Sequence, residues 1–161
     1  MIMTVIGSKS KFEFLKIKLK EAESNISLAL QTKKNILERM IKVIKDQKKY
    51  KDDFEDFHES FLIVKDTFAL HDTASKYYMK ISKIIFDDEC LAKKEKIIEL
   101  LNELKNNEEN LIGSIKFYND TVVDFNGLLK SFPHKVIGKI LGYKENQFYS
   151  NEKEELFEIL K

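Results

Sequence analysis

The sequence predicts an all-α protein: an antiparallel bundle in which three long helices run up, down and up, and a short C-terminal helical segment completes a four-helix type of packing. Three observations predict it. Apolar residues recur in alternating steps of four and three along most of the chain, the spacing of a helix seam. Gly occurs five times and Pro once among 161 residues, too few for the tight turns that a sheet needs. Charged residues make up 34% and hydrophobic residues 43%, a mixture suited to solvated helical faces around an apolar seam.

The first helix is expected over about residues 9–49. Leu15, Leu19, Ala22, Ile26, Ala29, Lys33, Ile36, Met40 and Val43 mark its seam, with Lys33 the one polar member. A lysine on such a seam is expected to snorkel to solvent. The second helix is expected over residues 52–86, from Phe54, Phe57, Phe61, Val64, Phe68, His71, Ser75, Tyr78, Ser82 and Ile85. Asp87 and Asp88 then supply a break and an N-cap.

The third helix has the cleanest repeat, from Ile97 through Leu101, Leu104, Glu108, Leu111, Ile115, Tyr118, Val122, Phe125 and Leu129 to Phe132. Pro133 ends it near Ser131, because proline has no amide hydrogen and its ring restricts Phe132. Val136, Ile137, Ile140 and Leu141 suit one or two further turns, with Gly142 as their C-cap. Residues 143–150 read as a loop, and residues 152–160 as a last short helix capped by Asn151. Similar segment lengths and an aromatic second seam favour this folded-back bundle over an extended coiled-coil oligomer. The length suits one domain, residues 1–161.

Several function classes lose support at once. The net charge is +1 and Arg39 is the only arginine, so no global field or guanidinium cluster points to nucleic acid. No apolar run approaches about 20 residues, the length that spans a bilayer. Cys90 stands alone, so neither an internal disulfide nor a cysteine zinc site is available. The phosphate loop, the nucleophile elbow and the His-Glu-x-x-His signature are absent. No catalytic residue, cofactor or metal is assigned.

Glu55 and His58 have the Glu-x-x-His spacing of a di-metal bundle, but the other two histidines, His71 and His134, follow Phe68 and Ser131 at that spacing. His58 therefore reads as a surface residue. The aromatic residues from Phe54 to Tyr78 read as core and not as a base-stacking platform. The polar seam positions His71 and Glu108 fall at similar depth when counted from the turn between their helices. They are expected to form a buried or half-buried pair, since a carboxylate in an apolar seam needs a donor. A register-fixing layer is the favoured role for that pair, and a proton-linked or ligand site is the alternative.

Residues 117–148, FYNDTVVDFNGLLKSFPHKVIGKILGYKENQF, carry a distinctive order of features. Tyr118-Asn119 is followed by Asn126, Phe132-Pro133, a short apolar helix, Gly142-Tyr143 and Phe148. This resembles the signature end of the LemA family, in which a Glu at the place of Glu108 usually lies upstream. Residues 21–45 resemble that family's first helix, without its arginine-rich stretch or its Leu-Ile-Pro step. The resemblance implies an antiparallel helical bundle, no assigned enzymatic activity, and placement at a bacterial cell membrane through an N-terminal anchor absent from this chain, with residues 1–8 as its remnant or flank. Without an anchor the chain would be cytoplasmic. The partner implied is an unidentified protein or a second copy.

The signature residues also have physical work to do. Asn119 and Asn126 sit seven apart on one helix face, where their amides are placed to hold the returning tail. Phe132, Tyr143 and Phe148 are expected to fold that tail against the bundle.

Overall fold

A computed structural model describes residues 2–149, with side chains from Val5 onward. It contains α1 (Ile2–Lys45), a 3-10 turn (Lys48–Tyr50), α2 (Phe57–Leu62), α3 (Thr67–Asp87), α4 (Glu89–Ala92), α5 (Glu95–Lys130) and α6 (His134–Ile140). No strand is present among the described residues, so the all-α bundle expected from the heptads is what forms. The helix expected over residues 152–160 lies outside the described residues. Among the described helices none is long and apolar enough to cross a membrane.

Two compact units are distinguishable: residues 2–22 with 115–149, and residues 23–114. The long helices α1 and α5 contribute to both.

In the unit of residues 23–114, Ile26, Leu30, Ile36, Leu37, Met40 and Ile44 form the buried stripe of α1. They recur at three, four and seven, as a core-facing helix requires. The Asn107 amide donates to the Ala29 carbonyl at 3.0 Å, and Arg39 meets Glu103 at 2.8 Å. Numbers that fall on one helix as they rise on the other mean that α1 and α5 run antiparallel here.

The single helix expected over residues 52–86 is corrected. It is broken at residues 63–66 into α2 and α3, which fold back on each other. Tyr77 of α3 packs edge-on to Phe57 and stacks on Phe61, with centroids 4.9 and 5.9 Å apart, and its hydroxyl lies 2.8 Å from Ser60 Oγ. Lys80 Nζ bonds the Asp53 carbonyl. Asp66 starts α3 by accepting from the Ala69 amide at 2.8 Å, an N-cap, after the β-branched pair Ile63 and Val64, which is poor in helix propensity. The aromatic residues are thus core, as expected, and not a platform.

Asp88 is the expected cap after α3. It accepts from the amides of Cys90 and Leu91 at 3.0 and 3.1 Å, which starts the four-residue α4 and turns the chain into α5.

In the unit of residues 2–22 and 115–149, α5 ends at Lys130, one residue before the Ser131 limit set by Pro133. Phe12 of α1 is fully buried and meets the Phe125 ring edge-on at 5.5 Å, so α1 and α5 are antiparallel here as well. The turn α6 then packs back through Ile137 and Gly138. A Cβ on Gly138 would lie 2.6 Å from Leu129 Cδ2 and 3.3 Å from Phe12 Cζ, so any larger residue would force these side chains to shift. Gly142, at φ +71°, ends α6 as expected. Its amide bonds the Lys139 carbonyl, and the Tyr143 amide bonds the Gly138 carbonyl, the paired bonds of a Schellman cap.

Candidate functional site

From Tyr143 the chain runs without helix to Tyr149, along α5 and opposite to it in direction. Two asparagines hold it. Asn126 Nδ2 donates to the Asn146 carbonyl at 3.0 Å, and the Asn146 amide donates to Asn126 Oδ1 at 2.9 Å. Asn119 does the same to Tyr149, at 3.2 and 3.0 Å. Each side-chain amide thereby satisfies both backbone groups of one tail residue, as a neighbouring strand would.

The spacing follows from two rises. Seven helical residues advance about 10.5 Å, and three extended residues advance about 10 Å. Asn119 and Asn126 therefore meet residues three apart in an extended tail without bending either element. Tyr118 and Tyr149 are both buried and pack edge-on at 5.1 Å, which anchors the far end of the tail. The tail docking expected from the two asparagines is what the structure shows.

Tyr143 anchors the near end. Its ring packs on Phe12 at 5.1 Å and Phe125 at 6.1 Å, and its hydroxyl donates to Glu13 Oε1 at 2.5 Å. That bond, with Lys16 and Lys9 nearby, holds the Glu13 carboxyl below its usual range. The same bond, with burial and the Glu13 charge adding to it, raises the Tyr143 hydroxyl.

Two signature aromatics behave otherwise than expected. Phe132 is 85% exposed and Phe148 is 51% exposed, so neither folds the tail inward. Phe132 directly precedes Pro133 just past the end of α5, where its side chain is left in solvent. Phe148 alternates with the buried Tyr149 in an extended segment, where successive side chains face opposite ways. Phe12, which sequence reasoning passed over, takes the central place. Its signal was its position three residues before Leu15, which extends the first seam backward.

The polar layer in the unit of residues 23–114 is also rearranged. Glu108 pairs with Lys33, not with His71: Lys33 Nζ lies 2.7 Å from Glu108 Oε1. Lys33 is only 2% exposed, so the expectation that it snorkels to solvent is corrected. Its ammonium also sits 5.1 Å from the centre of the Tyr78 ring. Burial raises the Tyr78 hydroxyl, a hydrogen bond from Ser82 opposes this, and the Glu108 charge adds to the rise. His71 is buried with its Nδ1 3.5 Å from Asp72 Oδ1. On α3 it is Tyr78, one heptad after His71, that meets the Lys33 ammonium.

The layer is thus a lysine, a carboxylate and a phenol filling the space among α1, α3 and α5. Asn107, one residue before Glu108, tightens it through Ala29. The arrangement matches charge to charge and can fix helix register. Among the described residues no group of three or more His, Cys, Asp or Glu is placed to hold a metal. His58 is exposed, as its seam position predicts, and Cys90 is exposed.

Comparison with known proteins gives one match: residues 22–159 fit the sequence model of the LemA family. No curated protein and no solved structure matches the chain.

Proposed function

The chain belongs to the LemA family, and from that premise we propose that it is a non-enzymatic interaction or scaffold domain displayed at a bacterial membrane, with a protein or a second copy as its partner. The observation that carries this reading is how the interior polar groups are used. Glu108 is taken by Lys33, and Asn119 and Asn126 are taken by the tail. These groups hold helices and tail together, and their partners occupy the places where a substrate would have to reach them. The outer faces of the long helices instead offer large apolar side chains, Phe14 and Ile17 on α1 and Phe117 and Val123 on α5. Surfaces of that kind suit protein contacts.

A photo-crosslinking residue at Phe14 or Val123, in cells separated into membrane and soluble fractions, tests the reading. A discrete protein adduct or a self-adduct in the membrane fraction is expected. Absence of any adduct, together with a small molecule that binds the chain and is lost in Glu108→Gln, would overturn it in favour of a ligand-binding bundle.

A further inference from the structure

Charge is nearly balanced along this chain, yet not at one end of the unit formed by residues 2–22 and 115–149. Residues 125–144 contain four lysines and no aspartate or glutamate. The first twelve residues likewise contain two lysines and no acid. Lys9 and Lys11 lie at the same end as residues 125–144, because Phe12 packs on Phe125 and against Gly138 of α6. Of the carboxylates that flank them, Glu13 is engaged with Tyr143 and Lys16 and Glu145 with Lys130 at 3.2 Å, while Asp124 is exposed on α5 just before the stretch.

Apolar side chains stand among these lysines. Phe132, Val136 and Ile140 recur every four residues and are all exposed, Ile140 to 77%. The reason is the packing of α6. It turns Ile137 and Gly138 inward, which leaves Val136 and Ile140 outward with Lys135 and Lys139 as the adjoining row. A bulky apolar strip edged by lysines is the composition of a helix lying in a lipid interface. The lysine stems can bury alongside the strip while their ammonium groups reach phosphates. A nucleic acid would instead call for free polar donors between the charges; here Ser131 and His134 lie within 3.3 Å of each other, and Phe132, Val136 and Ile140 are the exposed bulk. Residues 143–149 lead away from it, since Asn146 docks at Asn126 and Tyr149 farther along at Asn119.

The geometry points to α6 and the Phe132 turn as a contact with the surface of an anionic lipid bilayer. This deepens the membrane placement proposed above, through a surface separate from any anchor. The test is co-sedimentation of the 161-residue chain with vesicles of phosphatidylcholine alone or mixed with phosphatidylglycerol. Binding several-fold higher to the mixed vesicles, weakened by salt, is expected. Phe132→Ser with Ile140→Ser should reduce it, and Lys135→Glu with Lys139→Glu should abolish it. All four positions are exposed, so the circular dichroism melt of each variant should match the parent. Equal binding to both vesicles, no binding, or variants that bind like the parent would overturn the inference. So would a soluble acidic protein or a nucleic acid whose binding the lysine changes abolish while vesicles stay unbound. A chain that fractionates with membranes in cells but ignores anionic vesicles would refute this contact and leave the membrane display standing.

Discussion

Asn126 grips Asn146 by both of its backbone polar groups, accepting at 2.9 Å and donating at 3.0 Å. The contact is to backbone alone, so the identity of residue 146 matters less than the amide that holds it. Asn119 repeats the grip one heptad earlier.

Asn126→Leu should therefore cost about 1–3 kcal/mol, the penalty for leaving a part-buried donor and acceptor without partners. Asn126→Asp separates the two halves. Its carboxylate still accepts from the Asn146 amide but turns a second oxygen on the Asn146 carbonyl. Stability should fall comparably at neutral pH and recover partly in acid, where the protonated carboxyl can donate again. Thermal melts and amide exchange at Asn146 check both, and unchanged exchange in Asn126→Leu would refute the clamp.

The layer of Lys33, Glu108 and Tyr78 makes a sharper demand. Glu108→Gln leaves the ammonium of a side chain that is 2% exposed without its anion, and breaking such a pair costs about 3–5 kcal/mol. Replacing both charges, Lys33→Met with Glu108→Leu, should return the chain to within about 1 kcal/mol of the parent or above it, since apolar replacements of buried pairs are often neutral or stabilising. Urea unfolding of the two variants decides it. A harmless Glu108→Gln would mean the pair is solvated and carries little.

Much of this was legible because it follows from short-range rules. The heptads gave the helices, Pro133 and Gly142 gave two of their ends, and the Asn119–Asn126 interval gave the tail contact. What escaped depends on relative height. The two-helix turn at residues 63–66 was hidden by an aromatic seam that continues in step across it, although Asp66 carries the cap signal. The partner of Glu108 is Lys33 on α1, which a depth count between the second and third helices does not reach. Whether an aromatic points in or out, as at Phe132 and Phe148, is set by the local turn and by strand alternation, neither of which helical periodicity records.

Tyr143 and Glu13 predict a pH dependence. The carboxyl of Glu13 is lowered in the folded chain from an ordinary value of 4.5, first by the Tyr143 hydroxyl. A group depressed by folding contributes stability that is present above its unfolded value and is lost as pH falls through its folded value. The contribution should thus fade only below about pH 4.5. Tyr143→Phe should move the Glu13 titration back up, as read by NMR of its side-chain carboxyl carbon, and should flatten the acid limb of stability. An unmoved Glu13 titration would show that the lysines and not the phenol set it.

Three glycines should respond to alanine in opposite directions, and the signs follow from geometry alone. Gly142 sits at φ +71° with open space around it. Alanine there pays for a left-handed backbone, about 1–2 kcal/mol. Gly138 has an ordinary backbone but no room, with Leu129 Cδ2 at 2.6 Å and Phe12 at 3.3 Å. Its alanine forces a flexible leucine tip and a buried ring to shift, an overpacking cost of about 1–3 kcal/mol. Gly127 lies inside α5 with nothing within 4 Å, so alanine should stabilise the chain by about 0.5–1 kcal/mol through helix propensity. Thermal melts of the three variants read this directly. A stabilised Gly138→Ala would mean that α6 stands off from Phe12, and the packing that turns Val136 and Ile140 outward would go with it.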